Sequence, residues 1–239
     1  MNIWIKAIQK LVNFNEVIFF YPRLKKYYLK QKLGESITII DVGANKGQSI
    51  KFFLSLYPKA TIYSFEPNPT LYQGLVSKYE NNPRYNVKII KKGVSNTNGK
   101  LILQETVLDE TSTLEELNYN SAYLRKKAAV LGVSVEKIVK TRYEIEVTTL
   151  NDFIKSESLQ KIDILKIDTE GHELNVLKGL FPVLECPITY IQIESHNDDM
   201  YLQALSSSEI DNLLKKNNFD VSEKIKHGFG DFEEIIYKS

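Results

Sequence analysis

Short apolar runs alternate with helical patterns along most of the chain. Residues 37–42 form an almost continuous apolar run that predicts a buried strand, and the apolar positions that follow Gly47 have the spacing of one helix face. Further apolar runs predict strands at 61–65, 87–90, 162–167 and 188–193, and a closing pair of strands at 219–221 and 234–237. A return strand is expected at 101–103, after the Asn98-Gly99 turn, and alternating polar and apolar residues predict a strand with one exposed face at 144–148. The alternation of strands and helices predicts an α/β fold: a mostly parallel sheet with helices on both faces and an antiparallel closing strand.

An N-terminal segment stands in front of this alternation. We expect residues 1–35 to form a helical arm and residues 36–239 to form the main domain. The first 33 residues contain seven Lys or Arg and a single acid, Glu16, and we expect Pro22 to end an aromatic run. We interpret the segment as an arm packed on the domain or a dimer contact. The alternative is a membrane-surface helix that binds anionic lipid.

A glycine turn follows the first predicted strand. Gly43 should leave room for a ligand, and Gly47 should let the helix begin close to the strand. Such a turn presents backbone N–H groups and a positive helix end to a small ligand. Asn45 replaces the third glycine of the dinucleotide fingerprint, and the next strand ends in Glu66, where a carboxylate can accept both hydroxyls of a ribose. These features predict an adenosine ligand without a pyrophosphate.

Three sequence blocks follow one another in the chain: Asp41-Val42-Gly43-Ala44-Asn45-x-Gly47, Phe65-Glu66-Pro67-x-Pro69, and Leu165-Lys166-Ile167-Asp168-Thr169-Glu170-Gly171-x-Glu173. Together they resemble the signature blocks of the FkbM-type S-adenosylmethionine-dependent methyltransferases, over residues 36–195. The resemblance implies a Rossmann-like class I methyltransferase sheet. It also implies an O-methyltransferase that acts on a hydroxyl of a sugar, a glycan or another small biosynthetic intermediate.

The resemblance implies S-adenosylmethionine as the cofactor. The expected binding residues are Asp41, Gly43, Ala44, Asn45, Gly47, Glu66, Ser95 and Asp168. Ser95 is included because its loop follows the third strand, beside the adenine pocket expected in this fold. A loop serine is more often only a turn residue.

Candidate catalytic residues follow two later strands. Asp168 comes after the strand at 162–167, and Glu194 and His196 end the strand at 188–193. A sugar hydroxyl is a poor nucleophile, so a base or a metal should lie near it. Asp168 can alternatively cap the helix behind it, and His196 can be a loop residue without function. The three could jointly bind Mg²⁺, Mn²⁺ or Zn²⁺, but no tight ligand spacing supports a metal site.

Residues 105–142 interrupt the alternation between the third and fourth core strands. A helix is expected at 119–131, with a basic cluster of Arg125, Lys126 and Lys127. This cluster is either a solvated helix face or part of a lid over the acceptor pocket. In a lid, the cations would attract a phosphate or carboxylate on the acceptor, so the acceptor is expected to be a small molecule or glycan that can be anionic.

Composition narrows the classes of function that remain. The 239 residues include 31 Lys+Arg and 30 Asp+Glu, so the chain has almost no net charge that would favour binding to nucleic acid or to a membrane. The single cysteine, Cys186, excludes a disulfide framework and favours a reducing compartment. We find no targeting signal and no apolar run of membrane-spanning length, and we expect a cytoplasmic enzyme.

Two alternatives remain. The chain can be a cofactor-binding but inactive partner subunit of a biosynthetic complex, with the aromatic arm as its docking surface. It can also be an NAD(P)-dependent Rossmann oxidoreductase, which Asn45 disfavours because a glycine is missing there. A homodimer is compatible with both.

Overall fold

The computed structural model describes residues 16–107, 112–181, 186–196, 199–202, 207–227 and 232–239. The strands are β1 Thr38–Val42, β2 Thr61–Phe65, β3 Asn86–Ile90, β4 Gly93–Val94, β5 Gly99–Thr106, β6 Ser112–Thr113, β7 Val139–Thr148, β8 Ile162–Ile167, β9 Ile188–His196, β10 Asp220–Lys226 and β11 Phe232–Lys238. The helices are α1 Tyr21–Lys30, α2 Gln48–Leu56, α3 Pro69–Leu75, α4 Ala122–Leu131, α5 Leu150–Ser156, α6 Glu173–Lys178 and α7 Ser207–Lys216. A π-helical turn, Glu16–Phe20, precedes α1.

Seven of the described strands form a central sheet in the order β10-β11-β9-β8-β1-β2-β3. The strands from β9 to β3 run parallel, and β11 runs antiparallel to both β9 and β10. This confirms the predicted mostly parallel sheet with an antiparallel closing strand. Val42 pairs with Phe65 on one side and with Ile167 on the other, so β1, β2 and β8 end at the same edge. The residues that follow these strands therefore meet there.

Hydrophobic side chains cover both faces of the central sheet. Ile39 and Ile164 belong to one apolar cluster, and their neighbours Ile40 and Leu165 belong to another. Helices α1 and α2 contribute to the first cluster, and α5, α6 and α7 contribute to the second. Because side chains alternate along a strand, a strand buried on both faces has a continuous apolar sequence. That pattern is what made these strands predictable.

The strands expected at 101–103 and 144–148 are present within β5 and β7, but they belong to a second sheet, in the order β4-β7-β5-β6, that the sequence patterns do not predict. Its long strands β5 and β7 pair antiparallel. Residues 105–142 therefore hold the expected helix, α4, and also the ends of β5 and β7. The strand ends are polar because they pair with each other outside the core: Arg142 Nε donates to Gln104 Oε1 at 3.0 Å.

The described part of the N-terminal arm packs into the hydrophobic core. Phe20, Leu24, Tyr27 and Tyr28 are buried there, and the Tyr28 hydroxyl donates to Gln192 Oε1 at 2.6 Å. The aromatic run that ends at Pro22 is itself helical, and the helical backbone continues through Pro22. Pro22 lies in the first turn of α1, where its missing N–H is not needed. Residues 1–15 of the expected helical arm lie outside the described residues.

The start of the arm exposes the apolar side chains of Val17, Ile18 and Phe19. The hypothesis of a membrane-surface helix stays a prediction. Among the described helices, none has both the length and the apolar character to cross a bilayer.

Replacing Tyr28 by alanine is expected to lower the free energy of unfolding by about 3–5 kcal/mol. The change removes a fully buried ring and takes away the hydrogen bond to Gln192. Urea unfolding followed by circular dichroism measures the loss. Leu29→Ala is the matched control, because Leu29 is the next residue on α1 and is 56% exposed. Similar losses for both variants would show that α1 is not part of the core.

Candidate active site

A cavity of about 460 Å³ opens at the edge where the parallel strands end. This volume is in the range of small-molecule sites. Loops of the central sheet, the second sheet and the arm form its walls, and the arm contributes Phe20, Tyr21 and Leu24. Of the residues expected from the sequence, those that line the cavity are Gly43, Ala44, Asn45, Glu66, Asp168 and Glu194, whereas Asp41, Gly47 and Ser95 do not.

The glycine turn is shaped by contacts within the protein. Gly43 has φ +89°, and a Cβ there would lie 1.8 Å from the backbone oxygen of Asp168. Gly47 has φ +81°, and a Cβ there would lie 2.6 Å from the Tyr79 ring. The expected reasons for both glycines therefore need correction. Gly43 allows β1 to approach the end of β8, and Gly47 allows a helical tyrosine, not the strand, to pack against the turn.

The backbone N–H groups of this turn are already used. Those of Gly43 and Ala44 donate to the Phe65 carbonyl at 3.1 and 3.0 Å, and that of Gly47 donates to the Ala44 carbonyl at 2.8 Å. The N–H of Asn45 donates to Glu66 Oε2 at 2.7 Å. The expectation that these groups face a ligand is therefore wrong for all four. A pyrophosphate would find no donor among them.

Asp41 lies beneath the turn. It is fully buried, and its Oδ2 accepts hydrogen bonds from the hydroxyls of Ser49 and Ser64 at 2.8 and 2.9 Å. Burial raises the pKa of the Asp41 carboxyl, and the charge of Lys166 opposes this rise. Asp41 thus links the first turn of α2 to β2 and supports the glycine turn from below, without lining the cavity.

Glu66 presents a fixed carboxylate to the cavity. Its Oε2 accepts the N–H of Asn45 at 2.7 Å, and its Oε1 accepts the N–H of Asn68 at 2.9 Å. The side chain is only 4% exposed. Burial raises the pKa of Glu66 to about 7, although the two backbone hydrogen bonds lower it. Each oxygen keeps one further lone pair, so the carboxylate can accept two more hydrogen bonds.

Ser95 is buried away from the cavity. Its Oγ lies 2.9 Å from His172 Nε2, and His172 Nδ1 lies 2.5 Å from Glu115 Oε1. This buried chain of side chains joins the loop after β4, the segment after β6 and the start of α6. The geometry gives Ser95 and His172 contacts within the protein and no contact with the cavity.

Asp168 forms an ion pair that sequence reasoning missed. Lys166 Nζ lies 2.7 Å from Asp168 Oδ2, and both residues line the cavity. Burial lowers the pKa of Lys166, but the carboxylates of Asp168 and Glu234 outweigh it and raise that pKa above its usual range. Lys166 therefore stays charged and fixes Asp168. A single lysine inside the apolar strand β8 was the available signal, because such a charge requires a partner.

The next helix, α6, has His172 as its N-cap residue, and the His172 side chain makes no capping hydrogen bond; Glu173 instead holds the loop before the helix. Glu173 Oε1 accepts the N–H groups of Thr169 and Gly171 at 2.9 and 3.2 Å and the Thr169 hydroxyl at 3.0 Å. Glu173 therefore has a structural role in the loop that follows β8. The alternative of Asp168 as the cap of α6 is wrong, because its carboxylate pairs with Lys166.

Acidic side chains and one histidine form the cavity wall next to Asp168. They are Glu170, Glu194, His227 and Glu234. The predicted His196 ends β9, and its side chain lies outside the described residues. Sequence reasoning missed His227 and Glu234. β10 is parallel to β9 across the antiparallel β11, so the end of β10 and the start of β11 reach the same edge, but only the structure shows this strand order.

The second sheet and α4 form the opposite wall. Leu103, Ser112 and Leu114 line the cavity there, together with Lys127 of α4. Of the predicted basic cluster, Lys127 is the member on the cavity. Arg125 instead donates to the Tyr119 carbonyl at 3.3 Å on the exposed side of α4.

Most of the residues that form the cavity lie within a known protein family domain. A family model described as the methyltransferase FkbM domain matches residues 41–221, which is more than half of the chain. The chain belongs to the FkbM methyltransferase family. The matched range includes Glu66, Asp168 and Glu194, and it leaves out the arm, His227 and Glu234.

Three curated members of similar sequence are methyltransferases by name. Methyltransferase sdnD of Sordaria araneosa is 33% identical over 156 residues, which are 59% of this chain and 60% of that protein. Hexuronic acid methyltransferase AglP of Haloferax volcanii is 22% identical over 82% of this chain and 74% of its own length. The 2-O-methyltransferase NoeI of Sinorhizobium fredii is 25% identical over 74% and 70%. The chain spans about three fifths of the first two curated relatives that it matches, 60% and 57%.

The FkbM chain also shares its fold with a solved methyltransferase. A S-adenosylmethionine-dependent methyltransferase from Aquifex aeolicus superimposes with a TM-score of 0.50 over 98% of this chain and 97% of that one, at 13% identity. The fold is therefore the Rossmann-like class I methyltransferase fold, as predicted.

Asn45 is the position where this FkbM chain departs from the dinucleotide fingerprint. Its φ is +50°, so it has the left-handed conformation that a glycine would adopt. Asparagine tolerates this conformation better than most residues. The missing glycine is thus a weaker argument against a dinucleotide than expected. The occupied N–H groups of the turn are the stronger one.

Proposed function

We propose that the chain is a S-adenosylmethionine-dependent O-methyltransferase that acts on a hydroxyl of a sugar, a glycan or another small biosynthetic intermediate. The observation that carries the proposal is the Glu66 carboxylate, held by two backbone N–H groups beside a turn whose N–H groups at Gly43, Ala44, Asn45 and Gly47 are all bonded within the protein. Such a site favours a ligand that donates two hydrogen bonds and carries no phosphate. The ribose of an adenosine without a pyrophosphate has these properties.

The residues of the cavity fit this donor. Glu66 would hold the ribose hydroxyls, and Gly43, Ala44 and Asn45 would lie along the same ligand. Asp41 and Gly47 act indirectly, since they shape the turn. Ser95 would also act indirectly, because its hydroxyl is hydrogen-bonded to His172.

The transfer itself depends on alignment and on removal of a proton. When bound, S-adenosylmethionine supplies an electrophilic methyl group on a positively charged sulfur. Lys166 would fix Asp168 at the end of β8, so that the partly exposed carboxylate can accept a hydrogen bond or proton from an acceptor hydroxyl. Glu194 lines the cavity on the neighbouring strand and can orient a second hydroxyl.

An anionic acceptor would suit the wall formed by the second sheet. Lys127 lines the cavity there, with its ammonium group 3.8 Å from the Met200 sulfur, and the acidic side chains that follow β8 and β9 line the same cavity. A sugar acid offers both parts of this pattern: hydroxyls for the carboxylates and a carboxylate for the lysine. AglP, a relative over 82% of the chain, is named a hexuronic acid methyltransferase.

Transfer of a labelled methyl group tests the proposal. The purified chain is incubated with methyl-labelled S-adenosylmethionine and a panel of uronic acids, neutral sugars and extracted glycans. Label in a base-stable methyl ether is the expected result, with uronic acids ahead of neutral sugars. Donor binding without any transfer would favour the inactive partner subunit, and binding of NAD in place of the donor would favour the oxidoreductase.

Donor affinity is expected to rise about tenfold between pH 6 and pH 8. Burial raises the pKa of Glu66 to about 7, so the group is mostly protonated at pH 6 and mostly ionised at pH 8. The ionised form accepts both ribose hydroxyls, whereas the protonated form loses one acceptor, so affinity increases as pH rises through 7. Isothermal titration across this range measures it. In Glu66→Gln the dependence should flatten, and an unchanged slope would remove Glu66 from the donor site.

A further inference from the structure

Two glutamates face each other across the strands next to the cavity. Glu194 of β9 is the direct antiparallel partner of Glu234 of β11, and both line the cavity. Like charges directly opposite each other in a sheet are destabilising. His227, just after β10, completes the group: one ligand atom from each of the three side chains lies within 4.8 Å of the other two. This arrangement requires a compensating positive charge.

Two atoms of the group are buried and aimed into this space without a hydrogen bond. Glu234 is 2% exposed, and within the described part of the chain its Oε2 accepts no hydrogen bond. His227 Nε2 is also buried and has no hydrogen-bond partner among the described residues. It lies 3.7 Å from Glu194 Oε1, which is too long for a hydrogen bond. Buried polar atoms are almost always satisfied, so these two indicate a ligand.

The other nitrogen of His227 is held from behind. Nδ1 lies 3.4 Å from Glu16 Oε1, and the Phe20 ring stacks on the imidazole with centroids 4.0 Å apart. A carboxylate behind a histidine, with the far nitrogen directed at the site, is the usual arrangement of a metal-binding histidine. Lys166 contributes positive charge near Glu234, but its ammonium group pairs with Asp168 at 2.7 Å and gives Glu234 Oε2 no hydrogen bond.

We propose that Glu194, His227 and Glu234 bind one divalent cation of the Mn²⁺ or Zn²⁺ type. One imidazole and two carboxylates suit these ions better than Mg²⁺ or Ca²⁺, which prefer oxygen ligands alone. Three protein ligands leave coordination positions open toward the cavity. The proposal of an ion site rests only on the contacts of these three residues. Its use in holding an acceptor hydroxyl beside Asp168 rests on the proposed methyl transfer.

Manganese titration followed by electron paramagnetic resonance tests the site. The full chain is freed of metal with a chelator and titrated with Mn²⁺, without donor or acceptor, while the signal of free Mn²⁺ is recorded. One bound ion per chain is expected, and Zn²⁺ should displace it. Glu234→Gln and His227→Gln should each weaken binding at least about tenfold.

Matched variants locate the ion. Glu233→Gln removes the neighbouring carboxylate of β11, which belongs to the other face of the strand and pairs with Lys224 at 3.6 Å, so Mn²⁺ binding should not change. A second set of side chains, Asp168, Glu170 and Glu194, also has ligand atoms within 4.8 Å of one another. Glu170→Gln tests whether the ion binds to this set instead. Loss of binding in Glu170→Gln with retention in Glu234→Gln would overturn the proposed ligand set.

The remaining outcomes are also decisive. Absence of Mn²⁺ binding by the wild-type chain overturns the proposal, whatever the donor titration shows, because that titration reports on the proposed function separately. Thermal unfolding guards against misfolded variants. Mn²⁺ should raise the melting temperature of the wild-type chain and of Glu233→Gln, and it should not raise that of Glu234→Gln or His227→Gln. An equal rise in all four would contradict the site.

Discussion

Replacing Asp168 by asparagine is expected to lower turnover by about 10²- to 10⁴-fold while donor affinity stays nearly unchanged. The amide keeps the shape of the carboxylate but cannot take a proton from a hydroxyl. It also weakens the hold of Lys166, whose ammonium group now lies 2.7 Å from a carboxylate oxygen. Single-turnover transfer of labelled methyl groups, together with donor titration, separates the two effects.

Asp163→Asn is the matched control for this variant. Asp163 lies at the other end of β8, where it pairs with the exposed Lys161 at 2.6 Å and accepts the Thr38 N–H at 2.9 Å. The same chemical change there should leave turnover intact. Unchanged turnover in Asp168→Asn would limit Asp168 to pairing with Lys166 and would move proton removal to another residue.

Replacing Gly43 by alanine is expected to cost about 3 kcal/mol or more of stability and to weaken donor binding at least tenfold. The new Cβ would lie 1.8 Å from the Asp168 carbonyl oxygen, which is backbone and cannot rotate away. Its φ of +89° adds strain for any residue with a side chain. The turn must therefore separate from β8, and Glu66 and Asp168 lose their relative placement. Urea unfolding and donor titration measure the two losses.

Gly74→Ala provides the matched control for Gly43→Ala. Gly74 lies inside α3, and a Cβ there meets nothing within 4 Å. Alanine is the better helix former, so this variant should be slightly more stable, by about 0.5–1 kcal/mol, with unchanged donor affinity. A Gly43→Ala chain as stable as Gly74→Ala would contradict the close approach of β1 to the end of β8.

The central sheet was predictable because its strands are buried on both faces. β8 is apolar at most of its positions, and β1 and β2 are each followed directly by a residue that marks the strand end, Gly43 and Glu66. The second sheet was not predictable in this way. The sequence does predict strands at 101–103 and 144–148, within β5 and β7, but their pairing with each other outside the central sheet depends on contacts between segments far apart in the chain and has no local signal.

The candidate site was predictable only where sequence neighbours form it. Gly43, Glu66 and Asp168 each follow a strand directly, and the parallel register brings them together. Ser95 was misplaced because its position depends on a distant contact: a Cβ at Gly179 would lie 2.1 Å from the Ser95 carbonyl oxygen. His227 depends on the order of the last three strands in the same way, since no local pattern reports that order.

Isothermal titration of the wild-type chain with S-adenosylmethionine at pH 8 tests the central claim most directly. One molecule should bind per chain with a dissociation constant in about the micromolar range. Glu66→Ala should weaken it more than about tenfold, and NAD should produce no binding heat. Binding of NAD with no binding of S-adenosylmethionine, or an affinity that Glu66→Ala leaves unchanged, would contradict the assignment of this cavity to the methyl donor.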